Sequence, residues 1–529
     1  MPTFELTLLD GLMVGLYVVV IVGIGLYVSR RQESTDDYFL AGRSLTWVVI
    51  GFSLFATNIS TSSLVGMAGD AYAYGIAVYN YEWMAVVALF LFALFFLPFY
   101  LRSQVFTMPE FLERRFDERS RYYFSAVTIT GNILIDTAGS LYAGALVIRI
   151  VYPEFPIWQA VAILAVLSGL YTITGGLKAV VYTDIIQAVL LIGASSVVSV
   201  MAFNRVGSWA AVTEVTPPEM LSLIQPIGDP VLPWPGLVTG VFLLGFYFWG
   251  TNQFIVQRTL AAKDLNHGRR GALFAGLLKL PVLFIMILPG TFARALYGPE
   301  VLTQADKVLP MMMFDLLPVG IRGLVLAALV AAIMSSVDST LNSASTLITM
   351  DFVKKFRPNA GNRLLVIVGR CATGLFMLLA AAWAPFILNF PSLWQYLQTI
   401  LAYLSPPVVA CFVFGLFWPR ANRHGAFAAL IGGHVVAVAI ALADWQVPGF
   451  SIQFLYVPPL VFTVSAAVMG AVSLAGTAPD PETIEEYTWN LSHTERELAD
   501  AAQFPWYKNF FVQSALLLAL TAGILVLFW

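Results

Sequence analysis

Residues 55–63 read Phe55-Ala56-Thr57-Asn58-Ile59-Ser60-Thr61-Ser62-Ser63, a run of small polar side chains inside an otherwise apolar stretch at 46–70. A bilayer core needs about 20 apolar residues per helix, and this stretch is long enough to span one. The polar run permits an unwound segment within the span, whose freed carbonyls can hold a cation or a solute. The same run also suits a plainer role, as Ser/Thr glue between packed helices. A matching interruption, Phe246-Tyr247-Phe248-Trp249-Gly250-Thr251-Asn252-Gln253, falls in the stretch 236–257. Broken helices at corresponding places in two halves suggest an inverted-repeat transporter.

Composition agrees with a membrane chain. Of 529 residues, 59% are hydrophobic and 11% charged, against about 25% charged in a soluble domain. Roughly fourteen spans follow from hydropathy, the first at 9–29 and the last at 508–528. The expected fold is an all-α polytopic membrane protein. The first run, Leu12 to Val28, follows an acidic start with no basic leader, so it reads as a permanent span.

Lys and Arg set the orientation. With the first span running inward, Arg30, Arg31, Arg43, Arg102, Arg114, Arg115, Arg258 and most other basic residues fall at the cytoplasm. Only Arg149, Arg205, Arg294, Lys307 and Arg322 fall outside, and Lys279 alone lies deep in a span. Both termini are then external. The organisation expected is a flanking helix and loop at 1–45, a first repeat at 46–203 and an external Pro-rich segment at 204–235. A second repeat at 236–418 and flanking C-terminal helices at 419–529 complete it, with an acidic cytoplasmic loop, Thr477 to Gln503, whose Pro-Asp-Pro-Glu-Thr-Ile-Glu-Glu run at 479–486 reads as a solvated linker.

The net charge of −3 points to no nucleic-acid partner. Cys371 and Cys411 lie in apolar stretches and read as packing residues, and the four histidines lack metal-ligand spacing. No nucleophile–base constellation is present, so an enzyme is not expected. Ionisable residues inside spans are costly and functional by default. Glu82, Asp136, Asp184, Lys279 and Asp338 fit that description. Each alone suits a structural ion pair or helix cap; five in separate spans suggest a lined pathway.

Several segments carry a resemblance. They include Ser34 to Arg43 (STDDYFLAGR), Asn58-Ile59-Ser60, Tyr81-Glu82-Trp83, Thr107 to Phe111 (TMPEF) and Tyr171 to Gln187 (YTITGGLKAVVYTDIIQ). Gln257 to Lys263 (QRTLAAK), Met334 to Asp351 (MSSVDSTLNSASTLITMD) and Gly415 to Gly433 (GLFWPRANRHGAFAALIGG) belong with them. The chain resembles the sodium:solute symporter family over almost its whole length, and within it the sodium/glucose cotransporter branch. That implies a five-plus-five inverted repeat of leucine-transporter type with flanking helices, alternating access, sodium as the coupling ion and a place in the cell membrane.

The resemblance also implies sites. Sodium is a hard cation that takes oxygen ligands. Carried across, its ligands are the carbonyls of Ala56, Ile59 and Ala332 with the hydroxyls of Ser335 and Ser336. A second sodium is expected near Asp184, Asp338, Ser335 and Ser339; Ser335, Asp338 and Ser339 share one helix face at i, i+3 and i+4. Two buried carboxylates repel unless a cation or a proton lies between them, so a protonated or merely capping Asp338 is the competing reading.

In the sugar branch a glutamate, a lysine and a glutamine reach sugar hydroxyls, and Glu82, Lys279 and Gln398 stand at those positions. Tyr81, Phe248, Trp249 and Trp394 are candidates to floor and cap the pocket, although each also suits bulk packing. The chain departs from the branch at three places. Ser63 replaces a sugar-contacting Gln or His, and Gly245 replaces an Asn of a galactose-transporting bacterial member. Phe248 replaces its covering tyrosine. The partners expected are therefore a sugar or polyol, sodium and the lipid bilayer. A bulkier sugar, an inositol-like polyol or another small polar solute stays open, as does a sensor that does not accumulate its ligand.

Overall fold

The computed structural model describes residues 6–29, 34–152, 154–298, 307–389 and 393–529. The described residues form helices and turns, with isolated bridges at Leu45–Ala262 and Gln225–Pro233 in place of a sheet. Among the described residues, ten helices are long and apolar enough to cross a bilayer, or twelve when each of two bent pairs counts as one span. The shorter apolar helix Ile157–Gly169 and an interrupted helix at 234–260 bring the total to the roughly fourteen spans read from hydropathy.

In chain order, α1 is Leu8–Val28, α2 Trp47–Asn58, α3 Thr61–Tyr74, α4 Ile76–Arg102, α5 Glu118–Arg149, α6 Ile157–Gly169 and α7 Gly176–Val206. The second half begins with α8 at 234–251, then α9 Gln253–Leu260, α10 Leu265–Lys279 and α11 Leu283–Tyr297. The long α12 is Ile321–Phe356, α13 Asn362–Ile387 and α14 Leu393–Phe417. The flanking α15, α16 and α17 are Arg423–Gln446, Phe454–Ala475 and Phe510–Leu527.

Both expected breaks are present. Between α2 and α3 the axis bends by 58°, with Ile59 non-helical at φ −83°, ψ 85°. The local sequence accounts for the break. Ser60 accepts from Ser63 N at 3.1 Å and so caps α3, while Ser60 N turns to Asn58 O at 3.0 Å rather than to the Ala56 carbonyl four residues back. Asn252 does the same between α8 and α9: it is extended, and its side chain accepts from Phe254 N. Between α6 and α7 the turn falls at Gly176, with φ 53° and the Tyr38 carbonyl 2.4 Å from where a Cβ would sit, so only glycine fits.

Two spans carry a common local device. In α4 a π turn at Phe92–Phe96 runs into Leu97-Pro98. In α11 a π turn at Leu283–Ile287 runs into Leu288-Pro289. Proline has no N–H and clashes with the carbonyl one turn back, and widening that turn relieves the clash.

The 479–486 run faces solvent, as expected, although it is helical from Pro481, and the acidic loop beyond it is packed on the bundle. The loop folds as two helices, Pro481–Tyr487 and Leu491–Ala502. Tyr487 is buried edge-on against Phe111, Trp489 packs on Phe95 and Phe417, and Glu497 pairs with Arg269 at 2.6 Å. Apolar burial between the charges holds the segment against the bundle. Cys411 is buried as expected, whereas Cys371 is exposed on α13.

Candidate functional site

One buried pair of charges meets where α2, α4 and α10 cross. Lys279, at the last position of α10, is fully buried. Its Nζ donates to Glu82 Oε2 of α4 at 2.6 Å and to the side-chain oxygen of Asn58 at the end of α2. The rings of Phe55 and Trp249 flank the ammonium, with centroids 5.6 and 5.5 Å away, a cation–π setting. Phe248 stands edge-on to Trp249 at 5.3 Å. Ser63 Oγ joins the group through the Asn58 carbonyl at 3.5 Å. The structure thus assembles Ser63, Asn58, Glu82, Lys279, Trp249 and Phe248 around one neutralised ion pair.

The remaining solute candidates lie less directly in this group. Tyr81, beside Glu82, packs into the apolar clusters on either side of it. Gln398 is half-buried on α14. The side chain of Trp394 lies outside the described ones. At Gly245 an added Cβ would stand in ordinary contact with Ala88 and Met84 of α4, at 3.9 and 4.0 Å.

The proposed sodium ligands lie close by. Ala56, Ile59 and Ala332 belong to one packed cluster, and Thr57 Oγ1 lies 3.2 Å from Ser339 Oγ of α12. Ser335 Oγ donates to Asp184 Oδ1 at 2.6 Å. Ser336 Oγ is buried with no hydrogen-bond partner among the described residues. A buried hydroxyl is nearly always satisfied, so this orphan suits a cation ligand.

Around Asp184 the structure adds a residue that sequence reasoning had placed with the cytoplasmic charges. Arg258 of α9 is fully buried. Its Nε donates to Ser53 Oγ at 2.7 Å, and its terminal nitrogens reach Asp184 Oδ2 at 3.2 Å, Ser339 Oγ and the Phe254 carbonyl. Ser53 Oγ donates to the same carboxylate oxygen. Asp338 is fully buried one turn from Ser335. Tyr17, held by Gln187 at 3.2 Å, lies within electrostatic reach of both acids. The cation on Asp184 and Ser339 is here a guanidinium. The signal in the sequence was its position, six residues past the break at Asn252 in a helix whose every residue is buried.

Comparison with known proteins places this geometry. The sequence profile of the sodium:solute symporter family matches residues 38–433. The chain belongs to that family. It is 34% identical to the sodium/glucose cotransporter of Vibrio parahaemolyticus, over 94% of this chain and 96% of that one. It is 34% identical to sodium/glucose cotransporter 4 of Danio rerio, over 96% and 84%. It is also 34% identical to the sodium/myo-inositol cotransporter of Canis lupus familiaris, over 91% and 75%. A solved Na+-coupled sialic acid symporter, in a substrate-bound outward-open state, shares the fold with a TM-score of 0.79 at 23% identity, covering 90% of this chain and 99% of that one. Mhp1, a nucleobase-cation symporter, aligns with a TM-score of 0.55. This family member is a multi-pass membrane protein with the leucine-transporter-like fold. It performs sodium-coupled solute symport.

Proposed function

We propose that the solute is an uncharged polyhydroxylated molecule, a sugar or a cyclic polyol, and that it docks on the Glu82–Lys279–Asn58 group. The observation that carries this reading is the buried pair itself. A carboxylate accepts hydrogen bonds, an ammonium donates them, and an amide does both, so together they fix several hydroxyls at once. Because Glu82 and Lys279 cancel, an uncharged solute meets no net charge. The rings of Trp249 and Phe248 supply apolar faces for C–H groups. Gln398, Tyr81, Trp394 and Ser63 complete the candidate set. The inositol-transporting relative supports a polyol.

The coupling sodium binds the carbonyls of Ala56, Ile59 and Ala332 and the hydroxyls of Ser335 and Ser336, with the orphaned Ser336 Oγ as the supporting observation. Residues 46–203 and 236–418 form the two inverted repeats, which the shared π-turn-and-proline device of α4 and α11 supports. The chain changes no covalent bond in its solute. Uptake of radiolabelled sugars and polyols into proteoliposomes, with and without a sodium gradient, tests the reading. Accumulation of an anion or an amine in preference to every polyol would refute it. Sodium-independent binding without accumulation would make the protein a sensor instead.

A further inference from the structure

We propose that the hollow between helix Leu491–Ala502 and the ends of α4 and α10 binds a zwitterionic phospholipid headgroup, one that carries a phosphate and a primary amine. The site shares no residue with the solute and sodium sites proposed above, and its occupant does not depend on the solute's identity.

The hollow has a volume of about 430 Å³, in the range of small-molecule pockets. It lies where α4 stops at Arg102 and α10 begins at Leu265. The helix Leu491–Ala502 closes it with His493, Arg496, Glu497 and Asp500. These four recur at spacings of three and four residues, so they share one side of the helix. Pro98, Leu101 and Leu265 give the hollow an apolar part.

One corner asks for an anion. His493 Nδ1 takes the backbone proton of Asn490 at 3.4 Å in the capping box of its helix, so the ring's own proton belongs on Nε2. That nitrogen lies 3.5 Å from Arg102 Nη1. A guanidinium only donates, so two donors face each other and neither satisfies the other. An anionic oxygen between them accepts from both. Burial, then the charges of Arg102 and Arg496, push the His493 imidazole below its ordinary pKa, which keeps the ring neutral. Lys263 and Arg496 line the same hollow. Among the described residues, neither they nor Arg102 form an ion pair.

The other corner asks for a cation. Glu497 is committed to Arg269 at 2.6 Å. Asp500 lines the hollow and forms no ion pair among the described residues. It stands four residues beyond Arg496, about 6 Å along the helix axis. A phosphate and an amine joined through two carbons span a similar distance. Unpaired charges of both signs, held apart on one wall, match a ligand that carries both.

The surroundings favour a lipid over a soluble phosphate. Beyond Ala502 the chain runs through Phe504, Trp506 and Tyr507, all exposed, into α17 at Phe510. Exposed Trp and Tyr beside the end of a span sit at headgroup level. The helix Leu491–Ala502 already holds α10 through Glu497 and follows Trp489, whose N–H donates to the Leu416 carbonyl of α14 at 2.8 Å. A headgroup bridging Arg102 and Arg496 adds α4 to that clasp.

The test is competition binding on the purified full chain in detergent, with fluorescent phosphatidylethanolamine as the probe. Unlabelled phosphatidylethanolamine should displace it about tenfold more effectively than phosphatidylcholine or phosphatidylglycerol. Choline has no N–H for Asp500, and glycerol has no positive charge. Arg102→Gln with Arg496→Gln should weaken probe binding about tenfold or more. Asp500→Asn should keep binding and lose the preference over phosphatidylglycerol. If the double variant does not fold, Arg496→Gln alone, on an exposed position, is measured in its place. Equal displacement by all three lipids overturns the proposal, as does unchanged affinity in the arginine variant. Stronger competition by phosphatidylglycerol would make this a plain anion site and also overturn it. Water-soluble phosphoethanolamine that competes as well as the lipid would assign the hollow to a soluble ligand and overturn the lipid.

Discussion

Replacing Lys279 with methionine keeps most of the side chain's length and removes its charge. The Nζ contacts to Glu82 at 2.6 Å and to Asn58 are lost, and Glu82, 5% exposed, is left without its cation. Removing one partner of a buried ion pair costs about 3–5 kcal/mol, mostly as the penalty of the stranded charge. Lys279→Met should therefore melt well below wild type in detergent. The double variant, Lys279→Met with Glu82→Gln, removes the stranded carboxylate and should recover most of that stability. Solute binding should follow a different pattern. Both variants lack hydrogen bonds to a charged group, each worth about 1.5–3 kcal/mol, which is about 10- to 150-fold in Kd. The assay pairs thermal melting with equilibrium binding of the best-transported solute. Recovered stability without recovered binding is the expected signature. If the single variant melts with wild type, the pair carries no folding energy. If the double variant binds solute at wild-type affinity, the pair does not touch it. Either result refutes the reasoning.

Other outcomes follow from the same geometry. Ser335→Ala combined with Ser336→Ala should abolish sodium-driven accumulation while the protein stays folded; unchanged accumulation at low sodium would remove the site. Ser336→Ala alone should leave the sodium-free melting temperature unchanged, because its hydroxyl has no partner to lose among the described residues, yet should erase the rise in melting temperature that sodium gives wild type. At the C-terminal end of α12, Glu113 bridges Arg121 and Lys355. Burial raises the Glu113 pKa, but its hydrogen bonds to Lys355 and Arg121 outweigh this and hold it below the ordinary carboxylate value. A lowered folded pKa adds stability above the ordinary value, and that stability fades as pH falls through the lowered one. Glu113→Gln should flatten the acid limb of a melting-temperature profile, and an identical limb in the variant would exclude Glu113 as its source. Gly176→Ala places a methyl against the Tyr38 carbonyl and forces a left-handed φ of 53° on alanine. Expression and melting temperature should both fall, and a wild-type melt would show that the turn can relax.

The breaks in α2 and α8 were legible because small polar residues interrupt apolar ones in a medium that offers the backbone no water. Lys279 was legible for the same reason, since a charge at mid-span demands a partner, and Glu82 was a charge of opposite sign in another span. Arg258 was not. A basic residue near the end of a span counts as a cytoplasmic marker in any reading of loops. Which way its long side chain turns depends on where α9 lies against α2, α7 and α12. Its partners Ser53, Asp184 and Ser339 are 205, 74 and 81 residues away, and no local pattern connects them. The packing of the acidic segment beyond 486 was not legible for a related reason. Its charges were conspicuous in sequence, while Tyr487 and Trp489 found their apolar neighbours only once the bundle was assembled.

The cancelled pair of Glu82 and Lys279 has an electrical consequence. An uncharged solute held against it crosses the bilayer as part of a neutral load, so the membrane potential has only the sodium ion to act on. One elementary charge falling through 100 mV releases about 2.3 kcal/mol. For a single ion per turnover that corresponds to about 50-fold solute accumulation from voltage alone, before any difference in sodium concentration is added.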